Sequence, residues 1–373
     1  MIRIGNSEVR ISMVIKLAGS FCAFLIGAGF ASGQELMQYF TNYGLAKCVG
    51  VLLINCILGA WTCTAVMNIG NEQKDVRGLD CYTNLCGKYV GTALSWFIPI
   101  FMFLTFVQMM SGFGATFNQY FGVNNWIGAG ILAAACLVIC LLGLNKIIDT
   151  LGFVGPCIII IAIVLAIAVL ATHDLDIGRW NDFVATEHPL TAAGNWVGAG
   201  ISYALWNICM CMPFLSVMGS KAQNKTEVAT GVILGNVLFS IGAFMLVLAE
   251  ASQIEAVQNF EIPALHMANE LSPAFGFIYA IVLSFAIFTT AIPLLWSSAA
   301  RIFPEGSGKY KILVTILIIA GVFGSYIPFH YLVNIIEPMV GYVGILGWLF
   351  IIWRDIKLVK GHFAKDKLPD PKE

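Results

Sequence analysis

The sequence predicts an all-α integral membrane protein of ten transmembrane helices, arranged as two repeats of five. Three observations predict this fold class. The 373 residues are 59% hydrophobic and 11% charged, whereas soluble domains are roughly 45–50% apolar and about 25% charged. Apolar stretches of about 20 residues, the length that crosses a bilayer, recur along the whole chain. When ten of them are counted as crossings, all but two of the 20 Lys and Arg residues fall on one side.

The ten apolar segments are separated by short polar pieces, so we expect a single membrane transport domain over residues 1–373. Residues 11–171 form the first repeat of this domain, residues 192–354 the second, and residues 355–373 a tail. The segments lie at 11–41, 43–70, 88–121, 124–144, 146–171, 192–219, 226–252, 273–302, 310–327 and 329–354.

The basic residues give the predicted helices an orientation. Only Lys47 and Arg179 fall on the side opposite the other Lys and Arg residues. Because cytoplasmic loops carry the excess of basic residues, we expect a multi-pass protein of the cell inner (plasma) membrane with both termini and the tail in the cytoplasm. The opposite side carries acidic loops at 172–191 and 253–272. These loops fit either simple solvation or a cation-attracting vestibule.

The two halves of the chain carry similar features. Five helices precede the loop 172–191 and five follow it, and an odd number of crossings gives the halves opposite orientations. The first helix of each half contains a Gly-x-Gly motif, Gly27-Ala28-Gly29 and Gly198-Ala199-Gly200, and the fifth contains a proline, Pro156 and Pro338. Together these features indicate an inverted repeat.

The strongest functional signal lies inside the first helix, in the segment Ile26-Gly27-Ala28-Gly29-Phe30-Ala31-Ser32-Gly33-Gln34-Glu35. Non-helical backbone at membrane depth must face protein or water, and an ionisable residue there indicates function. We expect a break near Gly27–Gly33, which is typical of a transporter binding site. The carbonyls before the break suit a cation, and the N–H groups from about Ala31 suit a carboxylate. The alternative is close packing through small residues.

The carboxylate of Glu35 follows directly on the outer half-helix. It has three candidate roles: binding a solute ammonium, carrying a coupling proton, or bonding to a neighbouring helix. Gln108 and Ser111 are three residues apart and share a face of the third helix. Asn334 and Glu337 do the same on the tenth helix, and for these four residues we favour interhelical hydrogen bonding.

The sixth and eighth helices carry further candidates. Tyr203, Trp206 and Asn207 lie at mid-membrane depth with Pro213 beyond them, and we expect unwinding near 204–208. Packing explains the two aromatic residues equally well. On the eighth helix, residues 286, 289 and 290 share one face. The two threonine hydroxyls there can bind a cation, or they can bond back to carbonyls of their own helix.

The segment Gly27-Ala28-Gly29-Phe30-Ala31-Ser32-Gly33-Gln34-Glu35 resembles the signature of the bacterial YkvI-type membrane proteins. That family is similar to the amino acid–polyamine–organocation superfamily, which has the LeuT fold. The resemblance covers essentially the whole chain and implies a five-plus-five inverted repeat with helices 1 and 6 broken at the binding site. We therefore expect the solute to contact Gly27, Gly29, Ala31, Ser32, Gly33, Gln34, Glu35, Gln108, Ser111, Tyr203, Trp206 and Asn207.

The resemblance also implies a coupling ion. Sodium-coupled members of the superfamily share a cation site between helices 1 and 8. Proton-coupled relatives often place a lysine of helix 5 in this site, whereas Lys146 lies only at the cytoplasmic end of helix 5, which favours sodium. Glu35 departs from the neutral break of many amino-acid transporters and leaves the substrate class open. The ligands implied for Na⁺ are the carbonyls of Ala23, Ile26 and Ala286 and the hydroxyls of Thr289 and Thr290.

The function that the resemblance implies is secondary active transport, by Na⁺-coupled symport of a small organic solute such as an amino acid or related amine. A proton-coupled transporter or exchanger of the same fold, a solute sensor and a channel are the alternatives. An enzyme is not expected, because the sequence shows no metal cluster, nucleophile elbow or P-loop. The expected partners are a small-molecule solute and the lipid bilayer, with no nucleic acid, and no cofactor is expected besides the coupling ion.

Overall fold

The structure, a computed structural model, describes residues 2–4, 7–25, 27–73, 80–142 and 148–365. Within these ranges the protein is all-α apart from a short N-terminal hairpin, so the predicted fold class is confirmed. The hairpin pairs β1 (Ile2–Ile4) with β2 (Ser7–Val9) in antiparallel register. The sequence did not predict it, because three-residue strands are too short to show the alternation that marks a strand.

The first predicted helix consists of three pieces, α1 (Ile11–Leu25), α2 (Ala28–Ser32) and α3 (Gln34–Tyr39), followed by a 3-10 turn at Thr41–Tyr43. The remaining helices follow in chain order: α4 (Leu45–Glu72), α5 (Asp80–Phe121), α6 (Asn125–Leu142), α7 (Ile148–Thr172), α8 (Ile177–Glu187), α9 (Trp196–Ser220), α10 (Lys225–Ser252), α11 (Ile254–Val257), α12 (Pro263–Leu271), α13 (Pro273–Ala300), α14 (Gly308–Gly324) and α15 (Phe329–Lys365).

Ten of these elements match the ten predicted crossings: the broken helix α1–α3, and then α4, α5, α6, α7, α9, α10, α13, α14 and α15. Among the described residues, five helices are long and apolar enough to span a membrane on their own, and two bent pairs raise this to seven. The broken first helix and the shorter helices α6 and α14 account for the rest. The short helices α8, α11 and α12 occupy the two acidic loops, and we call their side of the molecule the loop side.

Two predicted boundaries differ from the structure. Helix α5 starts at Asp80, eight residues before the predicted 88, but Gly87 interrupts it with φ 74° and ψ 176°, a conformation that favours glycine. The last helix runs to Lys365, so the expected tail from 355 begins as helix. Residues 366–373 lie outside the described part of the chain.

Helix α9 is held tightly between α4 and α15, because glycines let the backbones approach. A Cβ atom on Gly70 of α4 would collide with the backbone of Ser216, and one on Gly219 of α9 with the backbone of Met67. On the other side, a Cβ on Gly344 of α15 would lie 2.7 Å from the carbonyl oxygen of Leu205. Small residues at such contacts are how membrane helices pack closely. They fix α9 beside the break in the first helix.

The predicted unwinding of the sixth helix near 204–208 is wrong. Helix α9 is continuous there, and the side-chain amide of Asn207 donates to the Tyr203 carbonyl at 3.0 Å. The helix instead bends by 63° between the segments that end at Met210 and begin at Met212. Pro213 has no N–H for the carbonyl of Cys209, and the hydroxyl of Tyr82 donates to that carbonyl at 2.7 Å. Pro213 and the Tyr82 hydroxyl therefore place the bend closer to the C-terminus of α9 than the predicted position at 204–208.

Candidate functional site

The first helix is broken where the sequence predicts it. Helix α1 ends at Leu25, and Gly27 caps α2 with an extended conformation, φ −86° and ψ −170°. Gly33 caps the C-terminus of α2, and its φ of 83° lies in the left-handed region that favours glycine. This left-handed residue separates α2 from α3. The first helix is therefore interrupted twice, between α1 and α2 at Gly27 and between α2 and α3 at Gly33.

Neighbouring side chains satisfy several backbone groups at the break. The hydroxyl of Ser32 donates to the carbonyl of Gly29 at 2.7 Å and accepts from the N–H of Gln34 at 3.2 Å. The hydroxyl of Tyr279 on α13 donates to the carbonyl of Ala31 at 2.6 Å. Groups at membrane depth need such partners. Ala31 and Ser32, both predicted to contact the solute, thus have polar groups already bonded within the protein.

Two buried carboxylates meet beside Gly29. A Cβ atom on Gly29 would collide with Oε2 of Glu35 and would lie 3.4 Å from Oε1 of Glu337. Glu35 is 3% exposed and Glu337 is 1% exposed. The absence of a side chain at Gly29 thus makes room for Glu35, whose carboxylate lies back over α2. Sequence reasoning assigned Glu337 only to helix packing, although an acidic residue inside a membrane segment was a signal that could have added it to the site.

Polar groups from α5 and α9 surround the two carboxylates. The side-chain amide of Gln108 donates to Oε1 of Glu337 at 2.7 Å. The Tyr203 hydroxyl is close enough to the Glu35 carboxylate to interact with it electrostatically, and the Trp206 indole N–H is close enough to interact with the Glu337 carboxylate. Neither makes a hydrogen bond of ordinary geometry with the carboxylates. Five of the residues predicted to contact the solute therefore lie together with Glu337: Gly29, Glu35, Gln108, Tyr203 and Trp206.

Many polar atoms of this group make no hydrogen bond of ordinary geometry among the described residues, although Tyr203 lies near Glu35, Trp206 near Glu337 and Ser202 near Tyr39. Buried polar atoms in folded proteins are nearly all paired, and each unpaired one costs about 1–3 kcal/mol. A concentration of them at one place suits a polar ligand that supplies the missing partners. The atoms are Oε1 of Glu35, Oε1 of Gln108, Oε2 of Glu337, the hydroxyls of Tyr39, Ser202 and Tyr203, and Nε1 of Trp206.

Aromatic rings form one wall of this group. The ring centroid of Tyr203 lies 4.9 Å from that of Tyr39, 5.0 Å from that of Phe40 and 6.4 Å from that of Phe239. Tyr203 therefore packs against these rings while its hydroxyl lies near Glu35, and its contact with a solute stays a prediction. Aromatic faces attract cations and also contact the apolar body of an organic molecule.

Other predicted residues lie apart from the carboxylates or bond elsewhere. The Ser111 hydroxyl donates to the carbonyl of Ile327 at 2.8 Å, which ties α5 to the segment between α14 and α15. Asn207 bonds to its own helix. No described heavy atom outside the adjacent backbone lies within 4 Å of a Cβ position on Gly27. A Cβ on Gly33 would lie 2.6 Å from Oε1 of Glu250, a third buried carboxylate near the break, which accepts from the Thr41 hydroxyl at 2.6 Å.

The oxygens predicted for sodium on α13 do converge. The hydroxyls of Thr289 and Thr290 both donate to the carbonyl of Ala286, at 3.0 and 2.9 Å. This is the helix back-bonding that threonine commonly makes in membranes, and for a cation to bind there both hydroxyls would have to turn away from the carbonyl. Ala23 belongs to α1, near the end that faces the break. Ile26 and Lys146 lie outside the described residues.

A pocket of about 330 Å³ opens on the loop side and reaches Gln34 and Met37 at the break. Glu261 and His330 line it and contact each other at 2.7 Å. Nearby, Arg179 of α8 bonds to Glu255 of α11 at 2.7 Å, and this hydrogen bond holds the pKa of the Glu255 carboxyl below its ordinary value. The predicted acidic loops thus surround a polar entrance whose floor includes Gln34.

Ion pairs tie the helices together on the opposite side. The guanidinium of Arg10, just before α1, bonds to Glu227 of α10 at 2.9 Å. Glu72 at the end of α4 accepts from Lys225 at 2.6 Å and from Arg354 at 2.8 Å. The Glu227 side chain is buried, whereas the ion pairs of Glu72 are partly exposed and contribute little stability individually. The position of all these ion pairs across four helices makes them a contact layer that must separate if this side opens.

Comparison with known proteins identifies relatives along almost the whole chain. No family model matches it. The uncharacterized membrane protein YkvI of Bacillus subtilis (strain 168) is 22% identical over 334 residues, which cover 88% of this chain and 92% of YkvI. The crystal structure of MhsT in complex with L-phenylalanine matches with a TM-score of 0.57 and 17% identity, over 92% of this chain and 88% of MhsT.

A Na⁺-coupled sialic acid symporter in a substrate-bound outward-open state matches with a TM-score of 0.56 and 13% identity, over 91% of this chain and 78% of the symporter. These structural similarities extend over both predicted repeats. The chain is a homologue of the membrane protein YkvI and has the LeuT fold.

Proposed function

We propose that this protein is a secondary active transporter that moves a small organic solute, an amino acid or a related amine, by alternating access in symport with Na⁺. The observation that carries the proposal is the break in the first helix. There, Glu35 of the first repeat meets Glu337 of the second, among buried polar atoms without partners. Discontinuous helices at the interface of two repeats are where such transporters bind their solutes.

The two faces of the molecule support alternating access. The pocket on the loop side reaches Gln34, whereas the ion pairs of Arg10 and Glu72 join helices on the other side. With the termini in the cytoplasm and the loop side external, the pocket would be the outer entrance. Solute and Na⁺ would each stabilise the occluded state that both must occupy, and this shared state would couple their movements.

The proposed coupling site for Na⁺ consists of the carbonyls of Ala23, Ile26 and Ala286 and the hydroxyls of Thr289 and Thr290. The support comes from the convergence of the three α13 oxygens and from a fold shared with a Na⁺-coupled symporter. Proton coupling is a second candidate, because the Glu35–Glu337 pair can carry a proton through the transport cycle.

A flux assay tests the proposal directly. Purified protein in proteoliposomes is offered labelled amino acids and amines under an imposed Na⁺ gradient, an imposed pH gradient, or neither. Uptake above the equilibrium level that requires one of the gradients is the expected result. Rapid dissipative flux with no accumulation would indicate a channel. Binding of a solute without any flux would indicate a sensor, and either outcome would contradict the proposal.

A further inference from the structure

We infer that the Glu35–Glu337 pair binds the ammonium group of a cationic organic solute in exchange for a proton. The inference deepens the proposed function, because it names the solute class and a chemical event at the same site. The inference rests on the proposed function only for the claim that the bound solute is then transported. Binding and proton release can be measured on protein that transports nothing.

The geometry places both carboxylates at one point. They reach the Cβ position of Gly29 from α3 and from α15, so a single small group located there can contact both. The amide of Gln108 bonds to Glu337 and leaves its own Oε1 without a partner. Glu35, Gln108 and Glu337 therefore each offer an oxygen that makes no hydrogen bond of ordinary geometry, and an ammonium group has three N–H donors.

The surroundings of the pair do not supply a positive charge. Among the described residues, no Lys, Arg or His forms an ion pair with either carboxylate. The titratable groups that face the pair are tyrosines, Tyr39 on α3 and Tyr203 on α9. Helix α5 contributes Gln108 and helix α2 contributes Gly29, both uncharged. On the far side of Gly33, helix α10 adds a further acid, Glu250.

Two carboxylates at one buried point cannot both ionise without a cation nearby, because desolvation and mutual repulsion both oppose it. Without a cation at the pair, protons must therefore balance its charge. When an ammonium group enters, it balances one carboxylate and makes that proton unnecessary. The O–H bond of the carboxylic acid breaks, the proton leaves to solvent, and the resulting carboxylate accepts the N–H donors of the ammonium.

The same arrangement selects against a carboxylate on the solute. A zwitterionic amino acid would bring its own carboxylate into a group that already holds two acids. The N–H of Gln34 at the start of α3 is bonded to the Ser32 hydroxyl, so this donor is not available to an anion. The aromatic wall of Tyr39, Phe40 and Tyr203 contacts an apolar body and favours a cation. An amine should therefore bind better than the corresponding amino acid.

The test uses phenethylamine and L-phenylalanine, which differ only in the carboxylate, with butylamine and putrescine as further amines. Isothermal titration calorimetry of the full-length purified protein, in two buffers of different ionisation enthalpy, measures the protons released on binding. We expect release of about one proton per phenethylamine and a Kd that falls about tenfold for each unit of rising pH. L-Phenylalanine should bind at least roughly tenfold more weakly, which corresponds to about 1.4 kcal/mol.

The double variant Glu35→Gln, Glu337→Gln should lose amine binding and proton release, whereas Glu8→Gln, which alters an exposed acid of the N-terminal hairpin, should keep both. The wild-type measurement decides the matter even if the double variant does not fold. Binding of phenethylamine without proton release, equal affinity for L-phenylalanine, or no binding of any of the three amines at millimolar concentration would overturn the inference.

Proteoliposome flux separates this inference from the proposed function. Gradient-driven uptake of L-phenylalanine without amine binding would leave the transporter proposal intact and overturn the inference. Amine binding with proton release, but no flux of any solute, would support the inference and overturn the transporter proposal. Amine uptake that acidifies the compartment from which the amine is taken is expected if both are correct.

Discussion

Glu35 and Glu337 belong to opposite halves of the chain, and their carboxylates meet at the Cβ position of Gly29. The glycine, the break in the helix and the two acids form one structural unit. Because position 29 is glycine and has no side chain, there is room for the Glu35 carboxylate. The break in the helix lets this carboxylate, which belongs to α3, lie back over α2.

Substituting Gly29→Ala should displace the Glu35 carboxylate, because the added methyl group would occupy the position of its Oε2. We expect the apparent affinity for solute, measured from solute-induced thermal stabilisation, to fall roughly tenfold. The free energy of unfolding should fall by about 1–3 kcal/mol. Gly19→Ala is the matched control in the same broken helix, since no heavy atom of the described residues outside its own helix backbone lies within 4 Å of its Cβ position. Equal behaviour of the two variants would show that position 29 has no such role.

Substituting Tyr279→Phe removes the hydroxyl that donates to the carbonyl of Ala31 at the break. A buried carbonyl left without its donor costs about 1–3 kcal/mol, so thermal or denaturant unfolding should show a clear loss of stability. Tyr310→Phe is the control, because it removes a buried hydroxyl that has no partner among the described residues. A loss in Tyr310→Phe as large as that in Tyr279→Phe would contradict the assignment.

The double variant Thr289→Val, Thr290→Val tests the proposed sodium site. It keeps the shape of both side chains and removes two oxygen ligands, so Na⁺-dependent stabilisation and Na⁺-dependent uptake should both weaken. Thr315→Val serves as a control, because Thr315 makes the same kind of bond to its own helix, 2.9 Å to the carbonyl of Lys311. Sodium dependence unchanged in the double variant would refute the site.

The orientation of the protein can be tested by cysteine labelling in intact cells. Ala185 on α8 and Lys309 at the start of α14 are both exposed and lie on opposite sides of the predicted membrane domain. An impermeant thiol reagent should label Ala185→Cys and should leave Lys309→Cys unlabelled until the cells are opened. The reverse pattern would show that the termini are outside.

The sequence was sufficient for the features that local patterns encode. Apolar length and the distribution of Lys and Arg defined ten crossings, and the glycines of 27–33 located the break. The role of Glu337 was not predictable, because it depends on which helices of the two repeats come into contact. The bend in α9 was misplaced for the same reason: Asn207 bonds to its own helix, and Tyr82, distant in sequence, supplies the donor that Pro213 makes necessary.

Uptake by Glu35→Gln in proteoliposomes is the most direct test of the proposed transport site, because this change keeps size and hydrogen bonding and removes the charge. Transport should fall at least roughly tenfold, while the melting temperature shows that the protein remains folded. Glu187→Gln, which alters an exposed acid at the end of α8, should transport like the wild type. Wild-type uptake by Glu35→Gln at every pH tested would contradict the proposal and leave Glu35 as a helix-packing acid.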